Sequence, residues 1–300
     1  MSSKRQSFTM QKNNIGWIGT GIMGAAMVSH LIESGCSLNI YSRTKEKALP
    51  LLAKGAAWYE SVGELGKAAD IIFLMVGYPN EVEQVVNELL TTLQRGSVII
   101  DMATSSPSLE RELYALCAKH GIGYLDAPVS GGDIGAKNAA LSIMVGGDKQ
   151  HYEKILPYFE LMGKTIVYHG ESGSGQHAKM VNQTLIAGTM IGMCEAMIYT
   201  SRAGLDIENV LTSVQLGAAG SWSLSNLAPR IVWNDFKPGF MIEHFLKDLK
   251  ITLEECEKMN IMLPGINLAK QLYASAVANG YGKKGTHALY LSMNDTQLTE

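Results

Sequence analysis

From Ile15 onward, short runs of continuously apolar residues alternate with stretches of helical spacing. The runs Ile15–Ile18, Leu38–Tyr41, 71–76, Val98–Asp101, Gly123–Asp126, 141–145 and 165–168 predict strands. Several are apolar at every position, as strands are when helices cover both faces of a parallel sheet. Between them the spacing predicts helices over 23–33, 79–93, 108–119 and 150–161. Pro79 and Pro107 suit a first helical turn, where the missing N–H costs nothing. This βαβ rhythm predicts a doubly wound, Rossmann-type α/β domain.

After about Gly175 the rhythm changes. No strand run follows, and Gly204, Gly217, Pro229, Pro238, Pro264 and Gly280 punctuate helical spacing. A long helix from near Gly175 to Arg202, about 40 Å at the usual rise, is expected to join two domains. The expected division is a doubly wound domain over 14–175 and an all-α domain over 176–300. Residues 1–13, polar and without an apolar signal core, read as a flexible lead-in.

The chain has 300 residues, 46% hydrophobic and 18% charged, enough for two cores. Its formal net charge of −3 is spread over interspersed acids and bases, which argues against nucleic acid or a membrane surface as partner. The most apolar stretch, 181–199, is broken by Gly188, Gly192 and Glu195 and reads as a buried helix, not a span. Cys36, Cys117, Cys194 and Cys256 form no CxxC pair and read as reduced thiols of a cytoplasmic protein. No metal site is expected, and a small molecule is the expected partner.

The first strand runs into Gly19-Thr20-Gly21-Ile22-Met23-Gly24. This is GxGxxG between a strand and a helix, the context the dinucleotide fingerprint requires. Gly19 permits the tight turn, Gly21 lets backbone approach a pyrophosphate, and Gly24 lets helix and sheet pack closely. The second strand ends in Ser42-Arg43-Thr44, without the acid that binds the ribose hydroxyls of NAD. A planar guanidinium suits a 2′-phosphate, with Ser42 and Thr44 as hydrogen-bond partners and Lys47 one turn on. NADP is therefore the expected cofactor, with NAD possible.

Three more segments follow strand ends or open the long helix: Asp101 to Ser105, Asp126-Ala127-Pro128-Val129-Ser130-Gly131-Gly132, and Gly173-Ser174-Gly175-Gln176-His177-Ala178-Lys179-Met180-Val181-Asn182. Lys179 and Asn182, three apart, share a helix face. His177, two before Lys179, points to another face and reads as structural. With Phe-Leu-Lys-Asp-Leu at 245–249, these blocks resemble the β-hydroxyacid dehydrogenase family over nearly the whole chain. That family includes 3-hydroxyisobutyrate dehydrogenase and tartronate, glyoxylate and succinic semialdehyde reductases. One departure is Gln183, where many members carry a second Asn.

The resemblance implies that Lys179 is the general acid and base and that Asn182 holds the substrate oxygen beside it. A lysine can serve both ways only if burial or a nearby cation lowers its pKa. Ser130, Gly131 and Gly132 would bind the substrate carboxylate, and Phe240 and Trp222 would line the pocket, with Ser223 adding a polar group; core packing is the other reading of Trp222. Asp248 would pair with Lys179 or orient its surroundings; a surface ion pair is the bland alternative. The cofactor set is Gly19, Thr20, Gly21, Ile22, Met23, Gly24, Ser42, Arg43, Thr44, Val76, Gly77, Tyr78, Thr104 and Lys247, the last reaching across the cleft. The expected activity is NADP-linked interconversion of a short 3-hydroxy acid and its semialdehyde. The alternatives are a glyoxylate, succinic or tartronate semialdehyde reductase, or a non-catalytic NADP-binding scaffold. An imine reductase is disfavoured by the retained lysine. A homodimer or homotetramer through the helical domain is expected.

Overall fold

The computed structural model describes residues 14–295, so the lead-in expected at 1–13 and the last five residues lie outside it. Its first part runs β1 (Ile15–Ile18), α1 (Ile22–Glu33), β2 (Leu38–Tyr41), α2 (Leu49–Leu52), β3 (Ala57–Trp58), α3 (Val62–Lys67), β4 (Ile71–Leu74), α4 (Pro79–Leu90), β5 (Val98–Asp101), α5 (Pro107–Lys119) and β6 (Gly123–Asp126). It continues through β7 (Val129–Ser130), α6 (Gly132–Lys137), β8 (Leu141–Gly147), α7 (Lys149–Phe159) and β9 (Gly163–Gly170). The helices that follow are α8 (Ser174–Arg202), α9 (Ile207–Val214), α10 (Trp222–Val232), α11 (Ile242–Lys258), α12 (Pro264–Ala276) and α13 (Leu289–Asp295).

The sheet order is β3-β2-β1-β4-β5-β6-β8-β7, with β9 added on β8. The first six strands are parallel and reproduce the doubly wound dinucleotide order, with the crevice beyond their carboxyl ends. β8 runs antiparallel to β6 and β7, and β9 parallel to β8. Strands are apolar throughout because both sheet faces are covered. Along β4, Ile71 and Phe73 enter one core, while Ile72 and Leu74 enter the other. Trp17 stacks on Phe73 with centroids 5.3 Å apart, and both are fully buried. Each such side chain contributes about 2–3 kcal/mol.

The short elements β3, β7, α2, α3 and α6 were not expected, since none is long enough to show a period. The strand expected over 71–76 stops at Leu74, where the chain turns off toward the cleft. Past Gly170 the described residues hold helices and only an isolated bridge between Met241 and Gly285. Helix α8, 29 residues and about 44 Å long, starts against the sheet and continues into the helical core. There Met190, Cys194 and Met197 join the cluster that holds Phe245, Leu249 and Tyr273.

Candidate active site

At the end of β1 the chain turns through Gly19 at φ +99°, a conformation that disfavours other residues. A Cβ there would collide with the Met75 carbonyl oxygen, and one on Gly24 with the carbonyl of Gly19. Gly21 differs: a Cβ would meet nothing within 4 Å. Its backbone is open to a ligand. Gly21 is also the N-cap of α1 and supplies no side-chain cap, leaving the helix's first N–H groups for an anion. The hydroxyl of Thr20 is buried without a hydrogen-bond partner among the described residues. Exposed Ile22 and half-buried Met23 open the same helix. An open backbone, a bare helix end and an orphaned hydroxyl fit a pyrophosphate.

Ser42, half-buried, and Arg43 and Thr44, exposed, follow β2. Arg43 is not free. Its guanidinium meets Glu81 Oε1 at 2.7 Å. Glu81 Oε2 accepts from the N–H groups of Gly77 at 2.8 Å and Tyr78 at 3.2 Å, capping α4. Glu81 was missed from the sequence. An acid three residues after Tyr78, with Pro79 at the first helical position, was the available signal.

The start of α8 is docked by polar contacts. Asp126 accepts from the N–H groups of Gly173 at 2.8 Å and Gln176 at 2.9 Å. Gln176, fully buried, donates to Ala103 O at 2.8 Å and accepts from Ser105 N at 3.1 Å. Gly175 passes so close that a Cβ would lie 2.7 Å from Asp126 O. The Gly-Ser-Gly-Gln turn thus locks the long helix onto the carboxyl ends of β5 and β6. Under this dock, Asp101 and Glu110 are fully buried and hydrogen-bonded to each other. Burial lifts Asp101 to about 7 and raises Glu110 well above the usual carboxylate range. Tyr124 donates to Glu110 at 2.7 Å.

Docking α8 this way brings Lys179 under β7. Lys179 is 6% exposed and donates to Val129 O at 2.8 Å. Burial lowers its pKa to about 8; the Asp248 carboxylate opposes the shift and the Lys247 cation adds to it. The neighbouring Ser130 hydroxyl donates to Asn182 Oδ1 at 3.1 Å. Asn182 donates to Gln183 Oε1 at 2.8 Å, and Gln183 donates to Asp248 Oδ2 at 2.6 Å. Asp248 is 1% exposed and its other oxygen lies 3.1 Å from Lys247 Nζ. Lys247 in turn donates to Thr104 O at 2.6 Å and Gly77 O at 3.1 Å. One polar chain thus joins the Ser130 turn to the loops after β4 and β5.

Of the expected residues, Ser130, Asn182, Asp248, Lys247, Thr104 and Gly77 are joined by these contacts, with Lys179 beside them, while no such contact reaches Trp222. Asp248 forms its ion pair with Lys247 and acts on Lys179 only through its charge; it is buried, so the surface-pair alternative fails. Gln183, read as a minor departure, is the link between Asn182 and Asp248. Lys247 crosses to the backbone of the loops holding Gly77, exposed Tyr78 and Thr104; half-buried Val76 precedes them. Gly131 and Gly132, at φ +128° and +62°, form the turn into α6. Phe240 stands at the entry to α11, edge-on to His244 at 6.4 Å. A Cβ on adjacent Gly239 would strike Asp133, so this loop abuts the Gly131–Gly132 turn. Trp222 is 55% exposed at the start of α10, so its core alternative fails. Ser223 turns inward to Thr189 at 3.3 Å, away from a polar pocket role. His177 contacts Arg111 at 3.1 Å, outside the Lys179 group.

The fold and the glycine loop define a two-part oxidoreductase architecture with an NAD(P)-binding domain. Residues 14–170 match the family described as the NAD binding domain of 6-phosphogluconate dehydrogenase. Residues 173–293 match NAD-binding of NADP-dependent 3-hydroxyisobutyrate dehydrogenase. An uncharacterised oxidoreductase, YkwC, of Bacillus subtilis (strain 168) is 50% identical over 282 residues, covering 93% of this chain and 98% of that protein. A probable 3-hydroxyisobutyrate dehydrogenase-like 1, mitochondrial, of Arabidopsis thaliana is 45% identical over 289 residues, covering 95% and 86%. The structure of Mycobacterium tuberculosis 3-hydroxyisobutyrate dehydrogenase with L-serine superposes with a TM-score of 0.86 at 28% identity, over 94% of this chain and 99% of that one. The chain belongs to the β-hydroxyacid dehydrogenase family and is an NAD(P)-dependent 3-hydroxyacid dehydrogenase.

Proposed function

We propose that the protein interconverts a short 3-hydroxy acid of the 3-hydroxyisobutyrate kind and its semialdehyde, preferring NADP, with Lys179 as general acid and base. The observation that carries this reading is the buried Lys179 ammonium, held at Val129 O one residue from the Ser130 turn, with its pKa brought to about 8. Near neutral pH such a group both donates and accepts a proton. The cofactor supplies the hydride when bound. Ser130, Gly131 and Gly132 bind the carboxylate through a hydroxyl and backbone N–H groups. Asn182, freed from Ser130 by the incoming carboxylate, holds the reacting oxygen beside Lys179. Asp248 and Gln183 orient this pair, and Lys247 fixes the loops holding Gly77 and Thr104 against it. In this reading Phe240 and Trp222 would face the substrate's side chain, which favours a short acid.

The glycine loop with Thr20 takes the pyrophosphate, and Ser42, Arg43 and Thr44 take the 2′-phosphate. Residues 14–175 would form the cofactor domain and 176–300 the substrate and oligomerisation domain. Association into a homodimer or homotetramer is supported by α8. There Val181 and Leu185 are 63% and 67% exposed, and Gly188 and Gly192 leave open space farther along the same face. A reducing, cytoplasmic setting is supported by four unpaired cysteines, three of them buried.

The test is a panel of 3-hydroxy acids and semialdehydes assayed with NADP and NAD, on wild type and Lys179→Ala. The variant is expected to lose roughly a hundred- to ten-thousandfold in kcat while still binding cofactor. Turnover at the wild-type rate would overturn the role of Lys179. Exclusive use of glyoxylate, succinic or tartronate semialdehyde would move the substrate to the reductase alternative.

A further inference from the structure

Arg43 stands just beyond β2, and Glu81 lies in the first turn of α4 just beyond β4. β2 and β4 flank β1 in the sheet. Their 2.7 Å contact therefore joins the two sides of the crevice into which the glycine loop opens. The partners are unequal. The Arg43 side chain is 80% exposed and tethered by this contact, whereas the Glu81 side chain is 16% exposed and anchored through Oε2 by two backbone N–H groups. The carboxylate is the fixed member, and the guanidinium comes to it.

This fixed charge bears on an adenosine ribose bound there. It occupies and neutralises Arg43, the cation at the end of β2 read as meeting a 2′-phosphate. We propose that Glu81 is a specificity-determining residue: by holding Arg43 it lowers selection for a 2′-phosphate over a 2′-hydroxyl. The inference rests on the reading of Arg43 as the 2′-phosphate ligand.

Calorimetric titration separates the two ideas without turnover. The ligands are NADP⁺, NAD⁺, adenosine 2′,5′-bisphosphate and AMP. The proteins are wild type, Glu81→Gln, Arg43→Ala and the double variant. The amide in Glu81→Gln keeps an oxygen for Gly77 and Tyr78, which protects the α4 cap. Glu81→Gln is expected to tighten NADP⁺ and the bisphosphate roughly three- to tenfold relative to NAD⁺ and AMP, the scale of one screened charge contact. That gain is expected to vanish when Arg43 is absent. A ratio changed by less than twofold, or a gain that persists in full on the Arg43→Ala background, overturns the proposal. If Arg43→Ala leaves bisphosphate binding unchanged, the 2′-phosphate reading itself falls, and this inference with it.

Discussion

Lys179 is held in a place that opposes its own charge. Little water reaches the ammonium, and Val129 O accepts from it without neutralising it. The sign of the resulting pH dependence follows. A lysine with its folded pKa depressed from 10.5 to about 8 costs stability wherever both states are protonated. That cost is full below about 8 and fades as pH rises toward the unfolded value. Lys179→Met is therefore expected to be more stable than wild type at pH 7 by about 1–3 kcal/mol, with the gain shrinking above about 8. Denaturant unfolding at several pH values measures this, and a gain independent of pH would contradict the depressed lysine. On the proposed role, the same group is expected to give opposite profiles in the two directions. Oxidation, which would need neutral lysine, is expected to rise with pH to about 8, and reduction, which would need the ammonium, to fall above it; initial-rate pH profiles in both directions check this.

At the scale of elements, the start of α8 shows why some of the fold was legible and some was not. The helix was visible because 29 residues run on without a proline after a glycine turn. The dock was not, because Asp126 and Gln176 find their partners 47 to 73 residues away, and no local pattern records that. The same holds for Glu81, whose partner Arg43 precedes it by 38 residues, and for Gln183 with Asp248. β7 and α6, by contrast, were hidden by brevity. Gly175→Ala tests the dock. A Cβ has no room between Met144 O and Asp126, both backbone-fixed. The variant is expected to lose about 1–3 kcal/mol of stability and to displace Lys179, lowering kcat. Gly188→Ala on the same helix meets nothing within 4 Å, and as a monomer would gain up to about 1 kcal/mol. Equal effects at the two glycines would contradict the dock.

For the molecule as a whole, the doubly wound half was readable because both sheet faces are buried and periodicity survives. Assembly was readable only as an expectation, since no sequence pattern fixes a symmetry. Leu185→Glu tests it: the side chain is 67% exposed, so the fold should persist while light scattering reports a smaller particle. An unchanged mass would remove that α8 face from the interface. The contact of Lys247 with both Gly77 O and Thr104 O carries a consequence for timing. A donor on α11 bonded to two carbonyls of the sheet domain ties α11 to the loops after β4 and β5, and a hydrogen bond to a charged group is worth about 1.5–3 kcal/mol. Loosening this one lysine is therefore expected to change how fast a bound molecule exchanges, and not only how tightly it is held.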